Sequence, residues 1–163
     1  MKDKRIYIVT GATGYIGNNI IKRLIELKKN VLGFARSKEK AKLVFNDNIP
    51  PMVYGDITNS ADIEKCFNAK DEYVIFHTIA AVSIGEIPNK ILYHTTVDGT
   101  RLLLEACRGH RVSKYFQISS TDSLPSDLEL ANDLANYYTA PEKCKKGYSN
   151  AKPMADKLVI EEY

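Results

Sequence analysis

The stretch GYSNAK, residues 147–152, places Tyr148 four residues ahead of Lys152. On a helix that spacing puts a phenol and an ammonium on one face, one turn apart. A phenol has an ordinary pKa of about 10, so it exchanges protons at neutral pH only with help. A neighbouring positive charge supplies that help by favouring the phenolate. Such a pair could hand a proton to an oxygen that gains negative charge, or take one back. Taken alone, the spacing fits equally well two ordinary residues on the exposed side of a helix.

A second constellation stands at the other end of the chain. TGATGYIG, residues 10–17, follows the apolar run RIYIVT and opens an amphipathic segment. Strand, glycine turn and helix in that order are the context a dinucleotide fingerprint requires. Gly11 permits the tight turn, Gly14 lets a pyrophosphate approach the backbone, and Gly17 lets the helix pack closely on the sheet. Thr13, Tyr15 and Ile16 complete the turn and the first helical residues, and join the glycines as candidate cofactor contacts. The helix start then offers N–H groups and the positive end of its dipole to the phosphates.

Binders of NAD(H) usually place an acidic residue at the end of the second strand, on the ribose 2′-hydroxyl. Here that position reads FARSKEK, with Arg36 where the acid would stand. A guanidinium can pair bidentately with a 2′-phosphate, and Ser37, Lys38 and Lys40 add donors nearby. The expected cofactor is therefore NADP(H), with NAD(H) the alternative. A solvated basic helix start explains the lysines but not the missing acid.

These residues have to be positioned by strands and helices. Near-continuous apolar runs at 5–10, 30–35, 52–55, 73–80 and 114–120 read as strands covered on both faces. Between them, Ile16, Ile20, Leu24 and Leu27 form one helical stripe over 15–28, and Tyr93, Val97, Thr100, Leu104 and Cys107 another over 88–108. Thr58 or Asn59 could cap a short helix through ADIEKCF. Gly99 inside the second helix predicts close helix–sheet packing at that point. Alternating strands and crossover helices imply right-handed βαβ units and an α/β, doubly wound parallel sheet. The segment 122–147 is long and weakly patterned, as functional loops are.

Composition narrows the class. The chain has 163 residues, 44% hydrophobic and 26% charged, with a formal net charge of +3. That length suits one domain, residues 1–163, and the charge is too small to argue for nucleic acid. Cys66, Cys107 and Cys144 lack metal-ligand spacing and read as reduced thiols, so no metal is expected. No segment approaches 18 apolar residues, and the opening apolar run is too short for a signal sequence. A cytoplasmic protein without a membrane segment is the expectation.

With TGATGYIG, GDIT (55–58), FHTIAA (76–81), VDGT (97–100), ISST (118–121) and YSNAK (148–152) in this order, the chain resembles the extended short-chain dehydrogenase/reductase family. Within it the chain looks most like the NADP-dependent reductases of dihydroflavonol-reductase and 3β-hydroxysteroid-dehydrogenase type. The resemblance implies a three-layer Rossmann-type domain with strand order 3-2-1-4-5. It implies that Asp56 accepts from the adenine amino group with Ile57 beside the ring, and that Thr78, Ile79 and Ala80 line the ribose and diphosphate. Thr121 falls at the family's catalytic serine or threonine, and Tyr148 and Lys152 at its catalytic tyrosine and lysine, which also touch the cofactor. Thr121 would donate to the substrate oxygen as charge develops there. His77 reads as a satisfied strand-end histidine, and Ser123 is a rival to Thr121.

Two departures from the family stand out. Thr96 occupies the place of an asparagine that supports the active-site backbone, which questions efficiency rather than class. The family continues past the Tyr/Lys helix into a C-terminal substrate domain, whereas this sequence ends at Tyr163. The expectation is a fold truncated after the fifth strand and its following helix, either a fragment or a short relative, with strand five an exposed edge. The expected function is an NADP(H)-dependent oxidoreductase acting on a small carbonyl or alcohol. Its rivals are an NAD-dependent nucleotide-sugar epimerase or dehydratase and a non-catalytic dinucleotide sensor. In the family the helices matching 88–108 and 148–162 pair across a homodimer, and LVIEEY offers apolar surface for that.

Overall fold

The computed structural model describes residues 4–82, 89–121 and 147–163. Five parallel strands form one sheet in the order β3-β2-β1-β4-β5. The central strand β1 (Ile6–Thr10) pairs with β2 (Asn30–Ala35) on one side and β4 (Glu72–His77) on the other. Beyond them lie β3 (Met52–Tyr54) and β5 (Arg111–Gln117).

The apolar strands are covered on both faces, which is why they read as runs rather than alternations. Tyr7 and Val9 of β1 face α1 (Tyr15–Glu26) and α2 (Lys38–Phe45), packing with Ile21, Leu24, Ala41 and Phe45. Ile8 points the other way, into a cluster with Phe34, Ile75, Ile63 of α3 (Ser60–Glu64) and Leu103. Asn59 caps α3 by accepting from the Ala61 amide at 3.0 Å, while Thr58 donates to Asp56 instead.

Residues 89–108 form one helix in three parts: α4 (Asn89–Tyr93), a π-helical turn (His94–Asp98) and α5 (Gly99–Arg108). A Cβ on Gly99 would come 2.9 Å from Ile57, so the close approach at that point is to the turn after β3 and not to a strand of the sheet as expected. The last helix, α6 (Tyr148–Glu162), packs on the π turn and α5. Ala151 joins Leu92 and Val97 in a third cluster, and Arg108 donates twice to Glu162.

Two expectations are corrected. The stripe on α1 is displaced: its buried residues are Gly17, Ile21 and Leu24, whereas Ile16 and Leu27 are about half exposed. On that inward face Gly17 lies against the backbone of the glycine turn, and Leu24 and the partly buried Ile20 keep their place on the core. Strand β5 begins at Arg111, ends at Gln117, and is half exposed along its length, so it is not covered on both faces. On the α1 side of the sheet, Phe76 and Phe116 stack with centroids 4.8 Å apart, and Phe116 is 43% exposed.

Candidate active site

The carboxyl ends of β1, β2 and β4 converge where the strand order reverses, and crevices at such points are where open α/β sheets bind ligands. Here they enclose a cavity of about 450 Å³. Gly11, Thr13 and Gly14 form one wall, Arg36, Ser37 and Lys40 another, and Asp56 and Ile57 a third. Thr78, Ile79, Ala80 and Ala81 close the fourth side, and Val82, Ile91 and Thr95 border the far end.

Each wall has a local cause. Gly11 has φ +69°, and a Cβ there would stand 2.6 Å from the Thr78 hydroxyl. The turn closes on itself through the Gly14 amide, which donates to the Gly11 carbonyl at 2.8 Å. Helix α1 then starts at Gly14 with no side-chain cap and no acidic residue in its first turn. That leaves the positive end of the helix dipole facing the cavity without a counter-charge of its own. The glycine cradle and bare helix start fit the pyrophosphate of a dinucleotide. Tyr15, 87% exposed, and Ile16 stand outside this cavity, in a shallow groove with Ile20 and Phe76.

At the end of β2, Arg36 is exposed and borders the cavity beside Asp56. The hydroxyl of Ser37 caps α2 by accepting from the Lys40 amide at 3.0 Å and donates to Glu39, so it is already engaged. Asp56 accepts from the amide and the hydroxyl of Thr58 at 2.9 and 2.8 Å. The amide bond, with help from the Thr58 hydroxyl and the Arg36 charge, holds its carboxyl below the usual range.

Beneath the cavity lies a buried polar network. Thr78 donates from its backbone amide to the Thr10 hydroxyl at 3.2 Å, and its own hydroxyl donates to the Thr10 carbonyl at 2.7 Å. His77 lies 2.6 Å from the Thr10 hydroxyl through Nδ1 and 3.1 Å from the Thr100 hydroxyl through Nε2. The Thr100 hydroxyl donates to the Thr96 carbonyl, so it accepts from Nε2–H and the Thr10 hydroxyl donates to Nδ1. Both ring nitrogens of His77 are satisfied, and burial, with the Lys152 charge, pushes its pKa down to about 3. Thr96, fully buried, accepts from the Ala81 amide at 3.1 Å and so ties the cavity wall to the π turn.

Tyr148 and Lys152 open α6, next to the third apolar cluster. Tyr148 packs against that cluster together with Ala81, which also borders the cavity. Tyr93 pins the helix start, donating to Asn150 at 2.6 Å and accepting from the Gly147 amide at 3.3 Å. Lys152 is 1% exposed, and its ammonium donates to the Ile118 carbonyl at 2.5 Å and lies 3.9 Å from Asp156. Thr121 is exposed just past β5. None of these three borders the cavity, while Gly11, Thr13, Gly14, Arg36, Asp56, Ile57, Thr78, Ile79 and Ala80 do. Asp122, Ser123 and the rest of the 122–146 segment lie outside the described residues. Two residues that no motif in the sequence singles out also belong here: Asp156, beside Lys152 at i, i+4 spacing, and Ser119, which donates to Asp156.

Comparison with known proteins agrees with this geometry. The model of the NAD dependent epimerase/dehydratase family matches residues 7–162. The chain is 27% identical over 150 residues to the sterol-4-alpha-carboxylate 3-dehydrogenase erg26 of Schizosaccharomyces pombe, covering 91% of this chain and 43% of that protein. It is 32% identical over 159 residues to the dTDP-glucose 4,6-dehydratase of Mycolicibacterium smegmatis, covering 93% and 47%. Among solved structures, yeast methylglyoxal/isovaleraldehyde reductase Gre2 complexed with NADPH superposes with a TM-score of 0.72 at 20% identity, over 96% of this chain and 52% of that one. The chain thus spans about half the length of the relatives it matches. On the family model, the strand order and the glycine turn together, the chain belongs to the NAD-dependent epimerase/dehydratase family.

Proposed function

We propose that the chain forms the cofactor-binding and proton-handling part of an NADP(H)-dependent oxidoreductase that interconverts a carbonyl and an alcohol. The observation that carries this reading is a single cavity bordered by a glycine cradle at one side and by Arg36, with no acidic residue at the end of β2, at another. The cradle would hold the diphosphate, Asp56 and Ile57 the adenine, and Arg36 with Lys40 the 2′-phosphate. Thr78, Ile79 and Ala80 would line the ribose and diphosphate.

A bound nicotinamide supplies or takes up hydride at the substrate carbon. Tyr148 would give the proton to the substrate oxygen during reduction and recover it during oxidation. Lys152 would favour the phenolate through its positive charge, and Thr121 would donate a hydrogen bond to the same oxygen. A second reading, an NAD-dependent epimerase or dehydratase, is favoured by the 32% identity to the dTDP-glucose dehydratase. Pairing of two copies through residues 88–108 and 148–162 belongs to the same proposal, and Ile160, 47% exposed on α6, is apolar surface it would cover.

Calorimetric titration with NADPH and NADH tests the reading. NADPH should bind about tenfold tighter or more, and Arg36→Ala should remove most of that difference. Equal affinities in the wild-type chain would favour the epimerase or dehydratase, and no binding of either nucleotide would overturn both readings.

A further inference from the structure

Lys152 and Asp156 stand one turn apart on α6 and are 1% and 4% exposed. One carboxylate oxygen, Oδ2, takes the hydroxyl hydrogen bond of Ser119, just past β5. The other, Oδ1, has no hydrogen-bond partner and faces the Lys152 ammonium at 3.9 Å. The ammonium is anchored on its other side by the Ile118 carbonyl. We propose that Asp156 is a positioning residue: fixed by Ser119, its carboxylate sets the place and the charge of the Lys152 ammonium from inside the fold. The proposal extends the role given to Lys152 above and rests on that reading for its catalytic consequence.

Two buried charges of opposite sign keep each other ionised against desolvation. Burial pushes the Lys152 pKa down and the Asp156 pKa up, and each charge opposes the shift of the other. The surrounding titratable groups do not replace the carboxylate. His77 on β4 is neutral above about pH 3, and Cys107 on α5 is neutral below about pH 12. Tyr115 on β5 and Tyr163 after α6 are both pushed up, so they stay neutral too. Glu162 is held by Arg108, and Gln117 on β5 carries no charge. Tyr148 stands a turn before Lys152 on the same helix. A carboxylate of this kind would keep the lysine cationic at the pH where a phenol needs its help.

Lysine labelled with ¹³C at Cε reports the charge directly, and Lys152→Met identifies the resonance. In the full chain, Asp156→Asn should move the Lys152 titration to lower pH by about one unit or more. Asp156→Glu should return it towards the wild-type value, and Ser119→Ala should move it part of the way down. An unmoved Lys152 titration in folded Asp156→Asn overturns the proposal. Should that variant not fold, an unmoved titration in Ser119→Ala does so instead. The measurement needs no nucleotide, so a chain that binds none would sink the functional reading and leave this one standing.

Discussion

Gly17 lies directly against Gly11: a Cβ built on Gly17 would run into the Gly11 carbonyl oxygen and come 2.8 Å from its carbonyl carbon. The obstacle is backbone, which cannot rotate aside. Gly17→Ala should therefore cost about 1–3 kcal/mol of stability and weaken dinucleotide binding. Gly14→Ala is the contrast, since its Cβ would stand 3.1 Å from the same oxygen. It should cost less stability than Gly17→Ala and still lose nucleotide affinity. Urea unfolding and NADPH titration of both variants separate the two effects.

Acid should unfold the chain partly through His77. Its pKa falls from an ordinary 6.5 to about 3 on folding. Between those values the unfolded chain takes up a proton that the folded chain refuses. Stability present above pH 6.5 is therefore lost as the pH falls towards 3, by up to about 1.4 kcal/mol per pH unit. Urea midpoints measured from pH 7 down to about 4.5 should show that slope. His77→Gln should flatten it while lowering stability at neutral pH, because the Thr10 and Thr100 hydroxyls lose their ring partner.

Cys66 and Cys107 should be inert thiols. Both are buried, and burial pushes each pKa up to about 12. Thiolate is the reactive form, so at pH 8 almost none is present. In a Cys144→Ser background the native chain should consume no Ellman reagent until denaturant is added, and then two equivalents. Rapid reaction of the folded chain would contradict the burial of both residues.

Thr96 holds the Ala81 amide, and a valine of the same shape cannot. Thr96→Val should cost about 1–3 kcal/mol, because it leaves a partly buried N–H without its acceptor. Since Ala81 borders the cavity, nucleotide affinity should fall as well, and Thr96→Ser should restore both. The Thr96 hydroxyl thus has a structural task of its own.

The parts of this fold that were legible in the sequence are those set by local chemistry. The limits of β2 are legible because VLGFA is an apolar run between polar Asn30 and Arg36, and the glycine turn announces β1 and α1 together. What misled was long-range contact. The expected stripe over 15–28 runs through Ile16 because isoleucine is apolar, yet it is Gly17 that lies against Gly11 while Ile16 stays about half exposed. The expected strand starts three residues later than β5 does, since Arg111 and Ser113 are polar on a strand that is only half covered. Likewise, of the cavity residues the glycine turn and Arg36 are legible from local sequence, and Asp56, Ile57, Thr78, Ile79 and Ala80 only through the family resemblance, whereas nothing in a sequence marks Asp156 as a buried carboxylate.

The π turn at His94–Asp98 gives the helix one surplus residue, and this changes its phase. Upstream of the turn the inward residue is Leu92; within it Val97 joins Leu92 and Ala151, and downstream Thr100, Leu103 and Cys107 are buried, Leu103 and Cys107 among the residues of the sheet. Excising one residue from His94–Asp98 would let regular hydrogen bonding run through, but would swing everything upstream by about 100° about the helix axis. Leu92 would turn away from Ala151, and Ile91 away from the cavity. A local gain in helical regularity would thereby detach the wall that α4 gives the ligand site from the helix that bears Tyr148 and Lys152.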